Sequence, residues 1–317
     1  MNPATAPETP CLRDLTVIVP VFGQREVLES HIHNHRFLHE NCGETLWVAT
    51  PSADGAHHLA RKTARQLGGE YLETPPGLYQ AWNLALGKAG KDWIYFNTVG
   101  DVCQPLLLNK LIGAAISAGV DVAFSPPERS PRTTAGDLRV WPIFRYARIL
   151  GSFESRPVPR RMMARLQLLA GDSNLLGSLA GAVFARKYLQ RNPFPACFKS
   201  FGDTAWSYQN CFTANFLYSS RPVASFLSHD SARPANHPRD TARLLLLLAE
   251  RLPAPSDALL REKIRHYLIH RRLLNRLRGS RPGKSWIFSP ASWIVRFQRE
   301  KSFFDMTRCF LRSIPRD

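Results

Sequence analysis

Three aspartates stand where chemistry can be expected, just beyond apolar runs or at the start of a predicted helix. Asp54 lies in a turn after the apolar run 46–50, Asp101 follows the run 93–96, and Asp203 opens a predicted helix. Open α/β sheets bind ligands beyond the carboxyl ends of their strands. A carboxylate there can hold a divalent cation and, through it, a diphosphate. Asp101 is therefore predicted to be the carboxylate that holds a metal ion and, through it, a diphosphate.

Two of these aspartates also have an ordinary structural interpretation. An aspartate in the first turn of a helix commonly caps free N–H groups or interacts with the helix dipole. Asp54 and Asp203 both fit that description, so each stays open between capping and function. Their order along the chain, together with Asp101, favours function.

Alternating apolar runs and amphipathic segments predict the elements that position these residues. Predicted strands cover 15–21, 46–50, 69–72, 93–96, 120–124 and 175–184, and predicted helices cover 25–39, 56–67, 78–88 and 105–118. Pro20 is expected to end the first strand's ladder because it lacks an N–H group. Regular alternation of strands and helices predicts an α/β fold with a doubly wound, mostly parallel, Rossmann-like sheet.

Charge and composition divide the chain. The 317 residues carry a formal net charge of +17, and residues 241–317 contribute 17 Lys and Arg against 6 Asp and Glu. We expect a loose leader over 1–14, an α/β domain over 15–240 and a basic, amphipathic helical extension over 241–317. The six cysteines have no zinc-binding spacing and are expected to be reduced thiols. The start has no secretory signal pattern, which favours a cytoplasmic location.

Seven short segments, taken in order, resemble motifs of glycosyltransferase family 2, whose members have the GT-A fold. The segments are 16–22, 52–55, 77–83, 99–101, 176–186, 201–203 and 228–231. The resemblance implies a nucleotide-sugar half over 15–125 and an acceptor half over 126–240.

The resemblance also implies roles for individual residues. Nucleotide-sugar contacts fall on Pro20, Phe22, Thr50, Asp54, Gly77, Tyr79 and Asn83. Asp101 and His229 would hold Mg²⁺ or Mn²⁺, and Asp203 would be the general base. The implied reaction moves a sugar, with inversion, from a nucleoside diphosphate sugar to a glycan or lipid-linked acceptor in surface polysaccharide or lipopolysaccharide assembly.

Two departures from the family pattern bear on that reaction. Ala49 and Thr50 stand where the family has acidic residues, one of which usually hydrogen-bonds the base of the nucleotide. The Asp-x-Asp metal motif is reduced to Val99-Gly100-Asp101. We therefore expect weak metal binding before the donor arrives, and the identity of the base stays open.

Histidines and the basic tail leave further alternatives. His31, His33, His35 and His39 lie on one predicted helix and are expected to be mainly surface residues, with a metal clip at His35 and His39 as the lesser alternative. Residues 257–317 combine basic residues with Trp and Phe, which is typical of an anionic membrane surface contact and equally of a helical cap on the sheet. A catalytically degenerate, transferase-like partner protein is the main alternative function. A nucleic-acid binder rests on charge alone, and no recognition module supports it.

Overall fold

The computed structural model describes residues 10–129, 143, 147, 150–152, 154–170, 174–211 and 213–226, with the single positions 266 and 301. The strands are β1 (Leu15–Phe22), β2 (Glu44–Thr50), β3 (Glu70–Glu73), β4 (Trp93–Phe96), β5 (Val102–Cys103), β6 (Val122–Phe124), β7 (Glu128–Arg129), β8 (Arg156–Val158), β9 (Ala182–Ala185), β10 (Phe216–Tyr218) and β11 (Ala224–Phe226). The α-helices are α1 (Pro10–Arg13), α2 (Arg25–Asn41), α3 (Ala56–Gln66), α4 (Leu78–Lys88), α5 (Pro105–Ala118), α6 (Arg160–Ala170), α7 (Arg186–Arg191) and α8 (Gly202–Asn210). Two 3₁₀ helices cover Leu179–Gly181 and Ala196–Phe201.

The main sheet has eight strands in the order β3-β2-β1-β4-β9-β6-β10-β8. Strands β3, β2, β1 and β4 are parallel to one another, and β10 is parallel to β6. Strand β9 is antiparallel to both of its neighbours, and β8 is antiparallel to β10. A second, three-stranded sheet has the order β5-β11-β7. The expected mostly parallel α/β sheet is confirmed for the described residues.

Side chains that alternate along the strands pack into two separate hydrophobic cores, one on each face of the sheet. In β1, Val17 and Val19 pack into one core while Ile18 packs into the other, as the two-residue period of a strand requires. Helices α2, α3 and α5 cover the face of Val17, and helices α4, α6 and α8 cover the face of Ile18. Because β1 is buried from both sides, its continuous apolar sequence is the pattern of a central strand.

The expected strand over 175–184 is wrong over its first seven residues. Residues 175–178 form a turn, Leu179–Gly181 is a 3₁₀ helix, and β9 begins only at Ala182. Ser178 accepts a hydrogen bond from the Ala180 N–H (3.2 Å), which caps the 3₁₀ helix and draws the backbone away from the ladder. The apolar run over 175–184 was therefore not sufficient to predict the residue at which this strand begins.

The first strand continues past Pro20, contrary to expectation. Pro20 pairs with Val48 and the strand runs on to Phe22. On its other side β1 pairs with β4 only from Leu15 to Ile18. A residue without an N–H group is tolerated where one edge of the strand has already become free.

Three histidines expected at the surface are buried instead. His31, His35 and His39 are 2%, 1% and 4% exposed, and they form one row on the sheet-facing side of α2. Their ring centroids lie 4.0 Å apart for His31 and His35 and 6.3 Å apart for His35 and His39. His33 is exposed, as expected. Spacing of four residues places all three rings on one helical face, and that face is the buried one.

Other composition-based expectations are tested only for part of the chain. The cysteines of the described ranges are Cys11, Cys42, Cys103, Cys197 and Cys211, and all are free thiols. Among the described helices, none is both long enough and apolar enough to cross a membrane. The expected basic helical extension over 241–317 lies outside the described residues apart from positions 266 and 301. Of the expected loose leader over 1–14, residues 1–9 also lie outside them, whereas Pro10–Arg13 form α1 and Leu12 is only 1% exposed, so this part of the expectation is wrong. The domain boundaries at 14, 125 and 240 stay predictions.

The buried histidines predict a specific loss of stability in acid. Burial lowers the pKa of His39 from 6.5 to about 3, so the folded state binds fewer protons than the unfolded state between these values. The stability that depends on neutral His39 is complete above about pH 6.5 and decreases as the pH falls toward 3. We expect His39→Leu to reduce the slope of unfolding free energy against pH by about 1.4 kcal/mol per pH unit in this window. Urea unfolding at pH 4, 5, 6 and 7 measures the slope.

The exposed His33 provides the matched control on the same helix. His33→Leu is expected to leave the slope as it is in the wild-type chain. An unchanged slope in His39→Leu would contradict a buried, neutral His39.

Candidate active site

A cleft of about 890 Å³ opens at the carboxyl ends of β1, β2 and β4. Its lining residues are Pro20, Val21, Phe22, Gly23, Gln24, Val48, Thr50, Pro76, Gly77, Leu78, Ala81, Thr98 and Val99. Four of the seven predicted nucleotide-sugar residues therefore lie together in this cleft: Pro20, Phe22, Thr50 and Gly77. Phe22 is 72% exposed, so its ring is free to contact a ligand. The remaining three, Asp54, Tyr79 and Asn83, are not among its lining residues.

Asp101 follows the cleft-lining residues Thr98 and Val99 in the turn after β4. Its backbone N–H donates to the Thr98 carbonyl (3.0 Å), which closes the turn that follows β4. The residue is only 3% exposed, and the Ser178 hydroxyl donates to its Oδ2 (3.2 Å). Thr98 and Val99 line the cleft, whereas Asp101 does not. The carboxylate is therefore buried, and it is close in the chain to two residues that line the cleft.

Asp203 lies in the first turn of α8 and accepts several hydrogen bonds. The Thr204 N–H donates to its Oδ1 (2.7 Å), the Asn174 side-chain amide donates to its Oδ2 (3.1 Å), and the Tyr79 hydroxyl donates as well. Burial of the carboxyl group raises the pKa of Asp203, while these donors oppose the rise because they favour the ionised form. Such a carboxylate is held in place and is a stronger base than an ordinary aspartate.

A short turn connects the two carboxylates. Asn174 donates to Asp203, Ser178 donates to Asp101, and only three residues separate them in the chain. The turn is closed by the Gly177 N–H, which donates to the Asn174 carbonyl (3.3 Å), and Gly177 has a φ of 70°. Four residues span at most about 14 Å even when extended, so Asp101 and Asp203 belong to one region at the end of the sheet.

Tyr79 and Gly202 form the contact that fixes Asp203. A Cβ on Gly202 would lie 2.4–2.7 Å from three carbon atoms of the Tyr79 ring. The ring also packs against Phe194, at 5.8 Å between centroids. Tyr79, predicted to bind the nucleotide sugar, is therefore found beside Asp203 and not in the cleft.

Asp54 and Asn83 have their polar atoms engaged within the protein. Asp54 accepts from the Arg25 and Ala56 N–H groups, both at 3.1 Å, so it joins the turns that precede α2 and α3. Hydrogen bonds, first of all from Ser52, lower the pKa of Asp54. The Asn83 amide bonds the carbonyl (2.7 Å) and the N–H (3.1 Å) of Phe194. These contacts agree with the capping interpretation of Asp54 and give Asn83 a packing contact.

Several residues of the region were missed from sequence. Asn174 and Ser178 bond the two carboxylates; Asn174 stood in no recognised motif, and Ser178 lies in the motif-like segment 176–186 but was given no role. Asn97 is completely buried after β4, and its side-chain amide has no hydrogen-bond partner among the described residues. His229, predicted as a metal ligand, lies outside the described residues. Within the described ranges, no group of three His, Cys, Asp or Glu side chains gathers closely enough to hold a metal ion.

The fold is shared with solved glycosyltransferase structures. TarS 1–349 of S. aureus in complex with UDP has a TM-score of 0.59 at 15% identity and covers 92% of this chain and 89% of its own. The same protein in complex with UDP-GlcNAc has a TM-score of 0.58 at 15% identity, with 95% and 81% covered. Glucosyl-3-phosphoglycerate synthase from Mycobacterium tuberculosis, in complex with Mn²⁺, UDP and glucosyl-3-phosphoglycerate, has a TM-score of 0.50 at 16% identity, with 77% and 81% covered.

These neighbours are GT-A-type glycosyltransferases, so the expected GT-A-type fold is confirmed. No protein-family model matches the chain, and no curated protein matches it in sequence. Membership of glycosyltransferase family 2 stays a prediction, because identities of about 15% establish the fold alone.

Because Gly202 and Tyr79 are in close contact, one methyl group added at position 202 should lower the unfolding free energy strongly. Gly202→Ala would drive a Cβ into the Tyr79 ring, which other aromatic side chains hold from behind. We expect a loss of about 1–3 kcal/mol in unfolding free energy, typical of overpacking. Urea denaturation of the purified variant measures this loss.

Gly87 is the matched control, because it lies in α4, the helix that carries Tyr79, with open space around its Cβ position. Gly87→Ala is expected to stabilise the protein by about 0.5–1 kcal/mol, as helix propensity dictates. Equal stability of Gly202→Ala and wild type would contradict the close contact.

Proposed function

We propose that this chain is an inverting, metal-dependent glycosyltransferase that moves a sugar from a nucleoside diphosphate sugar to a hydroxyl group of its acceptor. The observation that carries the proposal is the turn whose two ends donate to Asp101 and to Asp203, next to the cleft at the strand ends. Two carboxylates in different surroundings at one site suit two different roles. The fold shared with proteins crystallised with UDP, UDP-GlcNAc and Mn²⁺ supports this donor class.

The nucleotide would occupy the cleft. Phe22 offers an exposed ring on which a base can stack, and Pro20 and Gly77 lie beside it. Thr50 presents a hydroxyl group where the resembled family presents a carboxylate, so the base would be recognised without a charge. UDP is the first candidate because the structural neighbours were crystallised with it.

A divalent cation would be held next to the diphosphate by Asp101, with the Ser178 hydroxyl beside it. Mg²⁺ is commonly bound by one or two carboxylates plus substrate phosphates and water, so this small set of oxygen donors fits Mg²⁺ or Mn²⁺. When bound, the cation would neutralise the charge that develops on the departing diphosphate. His229 stays a proposed additional ligand.

Asp203 would act as the general base. Its carboxylate would take the proton of the acceptor hydroxyl as the oxygen attacks the anomeric carbon from the side opposite the diphosphate. A single in-line displacement inverts the anomeric configuration. Tyr79, Asn174 and Thr204 hold the carboxylate in one orientation for that transfer.

The acceptor and location are the finer parts of the proposal. We take the acceptor to be a glycan or lipid-linked sugar of surface polysaccharide or lipopolysaccharide assembly, reached at the cytoplasmic face of a membrane. Support comes from the basic, aromatic sequence of 257–317, which suits an anionic lipid surface. A nucleic acid is not an expected partner.

Removal of the proposed base should separate binding from transfer. Asp203→Asn keeps the size of the side chain but has too low a basicity to take a proton. We expect transfer to fall about 10²-fold to 10⁴-fold while donor binding persists. Thermal shift with UDP-, GDP-, dTDP- and CMP-sugars, each with and without Mn²⁺, identifies the donor. Hydrolysis or transfer of the sugar from that donor then measures activity.

Asp92→Asn is the matched control, because Asp92 is an exposed carboxylate that precedes β4, at the opposite end of the strand from the cleft, and its side chain forms an ion pair with Arg186 (3.7 Å). It should retain transfer. Full transfer by Asp203→Asn would remove Asp203 from the role of base. Donor binding without transfer or hydrolysis by the wild-type chain would favour the degenerate, transferase-like protein instead.

Tyr79→Phe should change the pH dependence of transfer. The Tyr79 hydroxyl donates to ionised Asp203 and so lowers its pKa against the effect of burial. Loss of the hydroxyl raises the pKa, and a general base works only when ionised. The acid limb of kcat/KM should therefore move to higher pH in Tyr79→Phe.

Tyr188→Phe is the corresponding control, since the Tyr188 hydroxyl bonds Asn210 (2.8 Å) and Thr213 (3.1 Å) instead. The acid limb of kcat/KM against pH should be the same in Tyr188→Phe as in the wild type. A shift of the limb to lower pH in Tyr79→Phe would contradict the donor role of Tyr79.

A further inference from the structure

Two buried histidines of α2 contact the segment that carries Asp101. The Gly100 N–H donates to His31 Nδ1 (3.3 Å), and the Cys103 N–H donates to His35 Nε2 (2.9 Å). Gly100 immediately precedes Asp101, and Cys103 follows two residues later in β5. The backbone on both sides of Asp101 is thus bonded to imidazole rings of one helix.

These backbone donors determine the tautomer of each ring. A ring nitrogen that accepts a hydrogen bond carries no proton, so neutral His31 is protonated at Nε2 and neutral His35 at Nδ1. His35 Nδ1 then donates to the His31 carbonyl one helical turn earlier (2.8 Å). Both rings are buried, at 2% and 1% exposure. Each ring therefore presents an acceptor nitrogen to one backbone N–H group of the segment.

The described backbone-to-backbone contacts of this segment before Val102 are local ones. Gly100 has a φ of 98°, a conformation that other residues rarely adopt, and the pairing of β5 with β11 begins only at Val102. Between the end of β4 and this pairing, the turn is held by the Asp101 N–H to Thr98 and by His31. The side chain of Asp101 is held separately, by Ser178.

We propose that His31 and His35 are positioning residues that fix the Gly100–Cys103 backbone and thereby the place of the Asp101 carboxylate. The inference rests on the proposed function for the role of that carboxylate toward a divalent cation. Residues that orient metal-binding carboxylates commonly change metal affinity about 10-fold to 100-fold when they are replaced. His31 and His35 would act in this way from the opposite side of the turn to Ser178.

His39 provides an unusually close control. It lies in the same buried row, yet its two ring nitrogens have no hydrogen-bond partner in the described part of the chain. Its ring packs on Trp47, at 5.0 Å between centroids. Replacement of His39 therefore disturbs the packing of the row without removing an acceptor from the Asp101 segment.

The experiment compares His31→Leu and His35→Leu with His39→Leu in the full chain. The first readout is UDP affinity by calorimetry with and without Mn²⁺, which isolates the metal-dependent part of binding. We expect His31→Leu and His35→Leu to weaken UDP binding about 10-fold or more in Mn²⁺ and to leave metal-free binding unchanged. His39→Leu should match the wild type in both conditions.

Conservative variants distinguish a loss of backbone positioning around Asp101 from a general loss of protein structure. Asn at position 31 and Gln at position 35 can each present an amide oxygen near the lost ring nitrogen, so His31→Asn and His35→Gln should recover most of the Mn²⁺-dependent affinity. If a leucine variant fails to fold, UDP affinity is measured with the corresponding His31→Asn or His35→Gln variant instead. The second readout needs no ligand: amide hydrogen exchange at Gly100 and Cys103 should become about 2-fold to 10-fold faster in the corresponding leucine variant.

The outcomes distinguish this inference from the proposed function. Mn²⁺-dependent UDP binding that persists unchanged in folded His31→Leu and His35→Leu would overturn the inference alone. Equal weakening in His39→Leu would also overturn it, because packing of the row would then be the cause. A wild-type chain whose UDP binding is indifferent to Mn²⁺ would overturn the metal role of Asp101 and this inference together.

Discussion

Buried carboxylates need donors, and this requirement organises the end of the sheet. An aspartate removed from water loses several kcal/mol of hydration unless hydrogen bonds replace it. Asp203 receives them from Tyr79, Thr204 and Asn174, while Asp101 receives one from Ser178. Because Asn174 and Ser178 belong to one closed turn, the two acidic groups cannot be placed independently. The rest of the site is arranged around that turn.

The reversed strand β9 is what brings this turn to the right place. Trp93 pairs with Ala185 and Tyr95 pairs with Val183, so β9 begins beside the carboxyl end of β4. A parallel strand at this position would have put its preceding residues at the opposite edge of the sheet. Insertion of one antiparallel strand between β4 and β6 thus delivers Ser178 to Asp101 directly.

Local patterns in the sequence predicted most elements correctly and predicted the side-chain environments less well. Helices 78–88 and 105–118 and strand 93–96 agree with the structure to the residue, because their periodicity and their bounding Gly and Pro residues are local signals. The direction of β9 and the hydrogen bonds of Asn174 depend on distant parts of the chain. The burial of His31 and His35 depends on which face of α2 meets the sheet, and four histidines in nine residues suggested a polar face instead.

In the candidate site, too, positions set by the strand ends were predicted well, and positions set by side-chain contacts were not. Pro20, Phe22, Thr50 and Gly77 meet in one cleft because parallel strands end at a common edge, which a sequence pattern can predict. Tyr79 and Asn83 share a helix with Gly77, but the helix turns them toward Asp203 and Phe194. Neighbours in a motif can therefore face different partners, and only their contacts distinguish them.

Helix α4 contacts both halves of the site. Leu78 and Ala81 border the cleft, and Tyr79 between them touches Gly202 and Asp203 with its ring and hydroxyl group. The first turn of α4 thus contributes both to the lining of the cleft and to the surroundings of Asp203. A substitution in this turn that reshapes the cleft is therefore expected to disturb the orientation of the carboxylate as well.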